Sequence, residues 1–377
     1  MRIAILADMR PSYVRPLGEG LARMLHRVGA EPDLVQDGLE SLPGANRIHA
    51  GMTAGQVLRA FAKRAMRASW YKRLLDRLRR VDAVVIVNHM PVAYQEWLFD
   101  DDRLRSDLPD VPIGLYDLAY LPTRGPWAAR LLSNDPQFSI PPGRHRGLDR
   151  YDFHLCITDV SENCMPVGCG PHFTVGINLE SEDLRVEPGR ALRALIDFER
   201  PDHAAERRVQ LRALERAGIR WTELSGRYSM AEIRRVYRSC GLYFIAHRES
   251  FGLPICELQA CGALVFTPYD HWCPSHTARG GSTERILPRN FIVYDNDEGR
   301  LVQLLAEARA TFDPARNRAS FAEQQPQFLH GDLGSLRRFI GMVQSGEINA
   351  RSHERLPSLA ALDNLIAESA RGKGLWD

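Results

Sequence analysis

Short, largely apolar runs recur along this chain at 2–7, 83–87, 113–115, 155–158, 194–196, 242–246 and 264–267, with helical or loop stretches between them. A strand that is apolar on both faces must be covered on both, and the crossover helices of β-α-β units supply that cover. The first unit is the plainest: Arg2 to Ala7 reads as a buried strand, and Leu17, Leu21, Met24, Leu25 and Val28 follow at helical spacing. This alternation predicts parallel sheets. At 377 residues and 44% hydrophobic content the chain suffices for two such domains, each with its own core.

Charge and cysteine content narrow the class. Lys and Arg number 49 against 47 Asp and Glu, too even for a chain whose main partner is nucleic acid. The apolar content excludes intrinsic disorder, and no window reaches the roughly 18 consecutive apolar residues of a membrane span. The chain meets Asp8 too soon for a secretory signal, so a cytoplasmic location is expected. Cys156, Cys164, Cys169, Cys240, Cys256, Cys261 and Cys273 make an odd number without a CxxC pair and are read as reduced thiols. No metal is expected, because the H-x-C-x-x-H run from His271 to His276 matches no common zinc site.

Two familiar phosphate motifs fail. The nearest approach to GxGxxG, Gly18-Glu19-Gly20-Leu21-Ala22-Arg23, lies well beyond the first strand and lacks the last glycine; no GxxxxGK[ST] occurs. The stretch 136–147, rich in Pro, Gly and Arg, reads as a long loop, and 182–189 as a connector between two halves.

Residues 221–268 carry the chemistry. Ser229, with Glu232 three residues on, reads as the capped start of a helix over 230–240; a strand over 242–246 and a loop over 247–253 follow. Pro254 suits the start of a second helix, and Gly252 before it lets backbone approach a ligand. Free amides at that start, outside the carboxyl end of a parallel strand, make a natural phosphate site. Glu249 and Glu257 flank it, and a carboxylate can accept two hydroxyl hydrogen bonds from a vicinal diol. For Glu257, a helix-dipole role is the plain alternative.

The run Glu249-Ser-Phe-Gly-Leu-Pro-Ile-Cys-Glu257, continued by Leu-Gln-Ala-Cys-Gly262, resembles the E(x7)E signature of retaining GT-B glycosyltransferases. Gly226-Arg227-Tyr228-Ser229 upstream and Gly280-Gly281-Ser282-Thr283-Glu284 downstream are similar to the family's base-side turn and GG-x-x-E loop. The resemblance implies two Rossmann-like α/β domains facing across a cleft: 1–175 on the acceptor side and 176–350 for the nucleotide sugar, with a C-terminal helix over 356–371 packing back on the first. It implies hexosyl transfer from a nucleoside-diphosphate sugar, with retention and with no cofactor or metal beyond that substrate. A nucleotide-sugar 2-epimerase or a catalytically silent binding partner are the alternatives.

Residue by residue, the resemblance gives Glu257 the ribose hydroxyls and Glu249 the transferred sugar. The backbone of Phe251, Gly252 and Leu253 would lie near sugar and diphosphate, and Gly226 and Arg227 near the base. The family's Arg and Lys on the loop after the second domain's first strand have no full counterpart. Arg200, then Arg207 or Arg208, are the candidates, with an exposed helical Arg as the bland reading. His89 and Asp117 would serve the acceptor side, and Tyr116 stands where the family often has a donor-touching His. Trp272 or His276 would line the donor pocket.

One basic stripe remains. Residues 57–80 hold nine Arg and Lys and a single Asp, interleaved with Phe61, Trp70, Tyr71, Leu74, Leu75 and Leu78. Such amphipathic helices lie on anionic membranes or are simply solvated. Peripheral contact at the inner face of a membrane, with a lipid-linked acceptor, therefore stands beside glycan and small-molecule acceptors as an expectation.

Overall fold

The computed structural model describes residues 1–7, 14–35, 52–87, 103–117, 151–157, 171–248, 251–270, 272, 276, 278–279 and 285–350. They form two parallel-sheet α/β domains. The first contains β1 (Arg2–Ala7), α1 (Val14–Arg27), β2 (Glu31–Val35), α2 (Ala54–Leu78), β3 (Ala83–Val87), α3 (Arg103–Asp107), β4 (Ile113–Asp117), β5 (Phe153–Cys156) and β6 (His172–Thr174). Its strands lie in the order β2-β1-β3-β4-β5-β6, every neighbouring pair parallel.

The second comprises β7 (Ala194–Ile196), α4 (Ala204–Arg216), β8 (Trp221–Glu223), α5 (Met230–Ser239), β9 (Leu242–Phe244), α6 (Leu253–Ala260), β10 (Leu264–Thr267), a small antiparallel pair β11 (Ala278–Arg279) and β12 (Arg285–Ile286), β13 (Phe291–Val293), and α7 (Glu298–Thr311). Its sheet runs β13-β10-β9-β7-β8, again all parallel. Both sheets thus repeat one winding: the second strand outside the first, and the rest on the other side.

Burial explains why these runs are strands. All five residues of β3 are buried, with Val85 and Val87 facing the α1 side and Val84 and Ile86 facing α2. In the second domain Ala194, Ile196, Phe244 and Phe266 pack against Leu214 of α4 and Leu301 and Leu305 of α7. The box expected at Ser229 forms: its hydroxyl accepts from the Glu232 amide, and the Glu232 carboxylate accepts from the Ser229 amide. The expected strand over 155–158 sits two residues earlier, because Phe153 and Leu155 alternate into the core.

After α7 come α8 (Pro314–Gln324), α9 (Pro326–Leu329) and α10 (Leu333–Gln344). Here the structure departs from the expected partition. Helix α10, within the segment assigned to the second domain, packs on the first: Phe339 lies 4.7 Å from the Phe153 ring and 5.7 Å from that of Phe173. The expected helix over 356–371 lies outside the described residues. The two chain crossings between sheets run side by side. The amides of Ile177 and Leu179 donate to the carbonyls of Gln327 and Leu329, and the Asp332 amide donates to that of Val175. Gly176, at φ +69°, makes this approach possible, since a Cβ there would lie 2.0 Å from the Gln327 carbonyl oxygen. Arg23 of α1 pins the crossing by donating to the side chain and carbonyl of Asn178.

Candidate functional site

In a sheet wound this way, a crevice opens outside the carboxyl ends of the strands where the order reverses. In the second domain the reversal falls between β7 and β9. The loop after β7 (197–203) and the described residues 245–248 of the loop after β9 therefore meet there, tied where the Asp197 amide donates to the Phe244 carbonyl at 3.0 Å. The corresponding loops of the first domain, after β1 and β3, lie outside the described residues.

A polar cluster occupies the reversal. His247 Nδ1 lies 3.7 Å from Asp197 Oδ2, and the rings of His203 and His247 are 6.0 Å apart at 31°. Tyr269, after β10, brings its hydroxyl 3.5 Å from His203 Nδ1, and the Arg248 guanidinium lies 5.3 Å over the Tyr269 ring. Arg200, on the loop after β7, has its Nε 3.6 Å from Asp202 Oδ1. Burial pushes His203 below the usual imidazole range, against the opposing pull of Asp202 and Glu206. Sequence reading missed both histidines, since they become neighbours only through strand order.

Glu257 sits on α6, 2% exposed. Its Oε1 accepts two hydrogen bonds from Arg234 of α5, from Nε at 3.1 Å and Nη2 at 2.7 Å. Burial raises the carboxyl above its ordinary value, and the guanidinium pulls the other way. The pair fixes the carboxylate in one orientation between α5 and α6.

The turn that opens α6 is built differently from expectation. Gly252 is the N-cap, Leu253 the first helical residue and Pro254 the second. The Gly252 amide is already engaged: it donates to His276 Nε2 at 2.8 Å, so that nitrogen carries no proton. Phe251 stacks on the same imidazole, 5.5 Å between centroids and 5° from parallel. Both Phe251 and Leu253 turn their side chains into the core. His276 is thus a buried strut beneath the loop, and Trp272 packs edge-on against it.

Arg207 is also employed otherwise than expected. Its guanidinium donates to Glu223 at 2.9 Å and to the Asp197 carbonyl, clamping α4 to the ends of β7 and β8. Tyr116 lies within the first domain, its hydroxyl donating to the Gly176 carbonyl at 2.6 Å, and burial holds the phenol well above its usual range. It stays in the core because its strand is interior to the sheet. Gly226, at φ +71°, turns the chain after β8, and Arg227 beside it is exposed. At the same edge Phe198, 44% exposed, meets Tyr228 edge-on at 6.4 Å. Glu249 and His89 lie outside the described residues, as does the side chain of Asp117.

A cavity of about 520 Å³ lined by Met1, Asp82, Pro112 and Ile348 opens at the amino ends of β1, β3 and β4, the end opposite these loops. Among the described residues no helix is long and apolar enough to cross a membrane.

No family model matches the sequence. No curated protein matches it either. Among solved structures the chain is similar to UDP-GlcNAc 2-epimerase from Neisseria meningitidis, at 9% identity over 92% of this chain and 100% of that one, TM-score 0.49. It is also similar to the catalytic domain of starch synthase IV from Arabidopsis thaliana, at 11% identity over 94% and 99%, TM-score 0.44. Sucrose-phosphate synthase from Thermosynechococcus elongatus matches at 13% identity over the full length of both chains, TM-score 0.43. At TM-scores below 0.5 these likenesses assign no activity to this chain.

Proposed function

We propose that the chain transfers a sugar from a nucleoside-diphosphate sugar to an acceptor, holding the donor at the carboxyl end of the second sheet. The observation that carries this reading is the meeting, at the β7/β9 reversal, of the segment bearing the E(x7)E run with a cluster of cationic and imidazole groups. Arg200, Arg248, His203 and His247 suit the diphosphate, and the exposed Phe198 and Tyr228 rings suit a nucleobase. Glu257, oriented by Arg234, is assigned to the ribose hydroxyls and Glu249 to the transferred sugar.

In the reaction, the bond between the anomeric carbon and the diphosphate oxygen breaks while the acceptor oxygen bonds to that carbon. The acceptor's proton passes to the departing phosphate oxygen. Negative charge grows on the diphosphate, where each well-placed donor lowers the barrier by about 3 kcal/mol. The resemblance at 249–262 favours retention of anomeric configuration. The acceptor would enter from the first domain, near His89 and Asp117, and closure would exclude water that hydrolyses the donor.

Calorimetric titration with nucleoside diphosphates, followed by mass spectrometry of donor and acceptor mixtures, tests this. Free nucleoside diphosphate and a heavier acceptor are expected. An isomerised donor would make the chain an epimerase, and binding without turnover a silent partner.

A further inference from the structure

Helix α2 has two apolar faces, and among the described residues only one is used for packing. Near its end Tyr71, Leu74, Leu75 and Leu78 are buried with Leu6, Val84 and Ile86 against the first sheet. In its first half the apolar residues change sides. At 100° per residue, Leu58, Phe61, Ala62, Ala65 and Met66 fall within an arc of about 140° on the side opposite the packed face. Leu58 is 72% exposed, Phe61 55% and Met66 64%, three of the six large apolar side chains that the described residues leave exposed. Only Ala60 is buried among the described side chains of 54–69.

Topology sets where this stripe projects. Helix α2 joins the carboxyl end of β2 to the amino end of β3, so it runs antiparallel to the strands and its first turns lie toward their carboxyl ends. Its 25 residues span about 37 Å, whereas the five of β3 span about 17 Å. Roughly 20 Å of helix therefore overhangs the carboxyl end of the first sheet.

Charge selects the partner. Residues 57–80 carry a net charge of +8 in a chain whose total is +2. Arg59 is exposed at the edge of the stripe, and the exposed Lys72 and Arg73 continue its face about two turns beyond Met66. An apolar band bordered by one cation and followed on the same face by two more fits the interface of an anionic bilayer, where acyl chains take the band and headgroups the cations. We infer that the first half of α2 docks on an anionic lipid surface, inserting Leu58, Phe61 and Met66, with the carboxyl end of the first sheet turned toward the lipid. Such docking holds independently of the reaction proposed above.

Co-sedimentation of the full chain tests it, using vesicles of phosphatidylcholine alone or with a third phosphatidylglycerol, at low and high salt. Binding to the anionic vesicles is expected to exceed binding to neutral ones at least ten-fold and to fall in high salt. Changing Leu58, Phe61 and Met66 together to Ser leaves the charge intact and should weaken binding at least ten-fold with an unchanged melting temperature. A second variant, Arg59→Glu with Lys72→Glu and Arg73→Glu, keeps the apolar stripe and should lose the preference for anionic vesicles. Absence of binding by the folded chain overturns the inference, as does undiminished binding of the Ser variant. A wild-type dimer that the Ser variant converts to monomer would also overturn it, assigning the stripe to a second copy.

Discussion

Gly252 gives its amide hydrogen to Nε2 of His276 at 2.8 Å, so the turn that opens α6 hangs from a side chain 24 residues further along. His276→Phe keeps a ring to stack on Phe251 and removes the acceptor. A buried amide left without a partner costs about 1–3 kcal/mol. The unfolding midpoint in urea should fall accordingly, and an unchanged midpoint would show that the bond holds nothing in place.

Glu257 makes stability depend on pH. Its folded-state carboxyl is raised above the ordinary 4.5, so the folded chain binds that proton more tightly than the unfolded one. The contribution is complete below pH 4.5 and is lost as pH rises from there through the raised value. Glu257→Gln imitates the protonated form at every pH. Whatever the offset between the curves, the stability of the Gln variant relative to wild type should increase from pH 4.5 toward neutrality. Arg234→Met should extend wild-type pH dependence further upward, because it leaves the buried carboxylate unpaired. Parallel denaturation curves across this range would refute the coupling.

Gly176 and Gly189 share a left-handed backbone, at φ +69° and +67°, but differ in surroundings. A Cβ on Gly176 meets the Gln327 carbonyl, whereas one on Gly189 meets nothing within 4 Å. Gly189→Ala should cost only the conformational penalty of about 1–2 kcal/mol. Gly176→Ala adds overpacking of about 1–3 kcal/mol more. Guanidinium titrations of the two variants measure the difference directly.

Phe198, which is exposed, gives a test of the donor reading that leaves folding aside, whereas Tyr228 also packs on the core and its hydroxyl accepts from the Ser225 amide at 3.3 Å. Base stacking on an aromatic ring is worth about 1–3 kcal/mol. Phe198→Ala or Tyr228→Ala should then raise the dissociation constant for a nucleoside diphosphate by roughly 5-fold to 150-fold, while leaving inorganic diphosphate binding unchanged. Equal affinity in all three proteins would remove these rings from the site.

Local features were legible in the sequence, and pairings across the fold were not. Strands β3 and β10 show as continuous apolar runs because both faces are covered. Strand β2, Glu31-Pro32-Asp33-Leu34-Val35, hides because it is an edge, with Asp33 taken up by Arg77 of α2. The Ser229 box spans three residues and is visible to the eye. The Arg234–Glu257 bond depends on how α5 lies against α6, and no local pattern reports that. The histidine pair needs the strand order, and the helix that finishes the first domain gives no local sign of where it will dock.

Because Phe339 completes the packing around Phe153 and Phe173, the unit from β7 to α8 is an insertion within the first domain. Its two ends meet at the hydrogen-bonded crossings near Asn178 and His330. During synthesis, then, the domain that begins first is finished last: its aromatic core must wait, partly uncovered, until α10 has left the ribosome. The inserted unit can close its own sheet in the meantime, and its closure brings the returning chain to the place where the waiting core needs it.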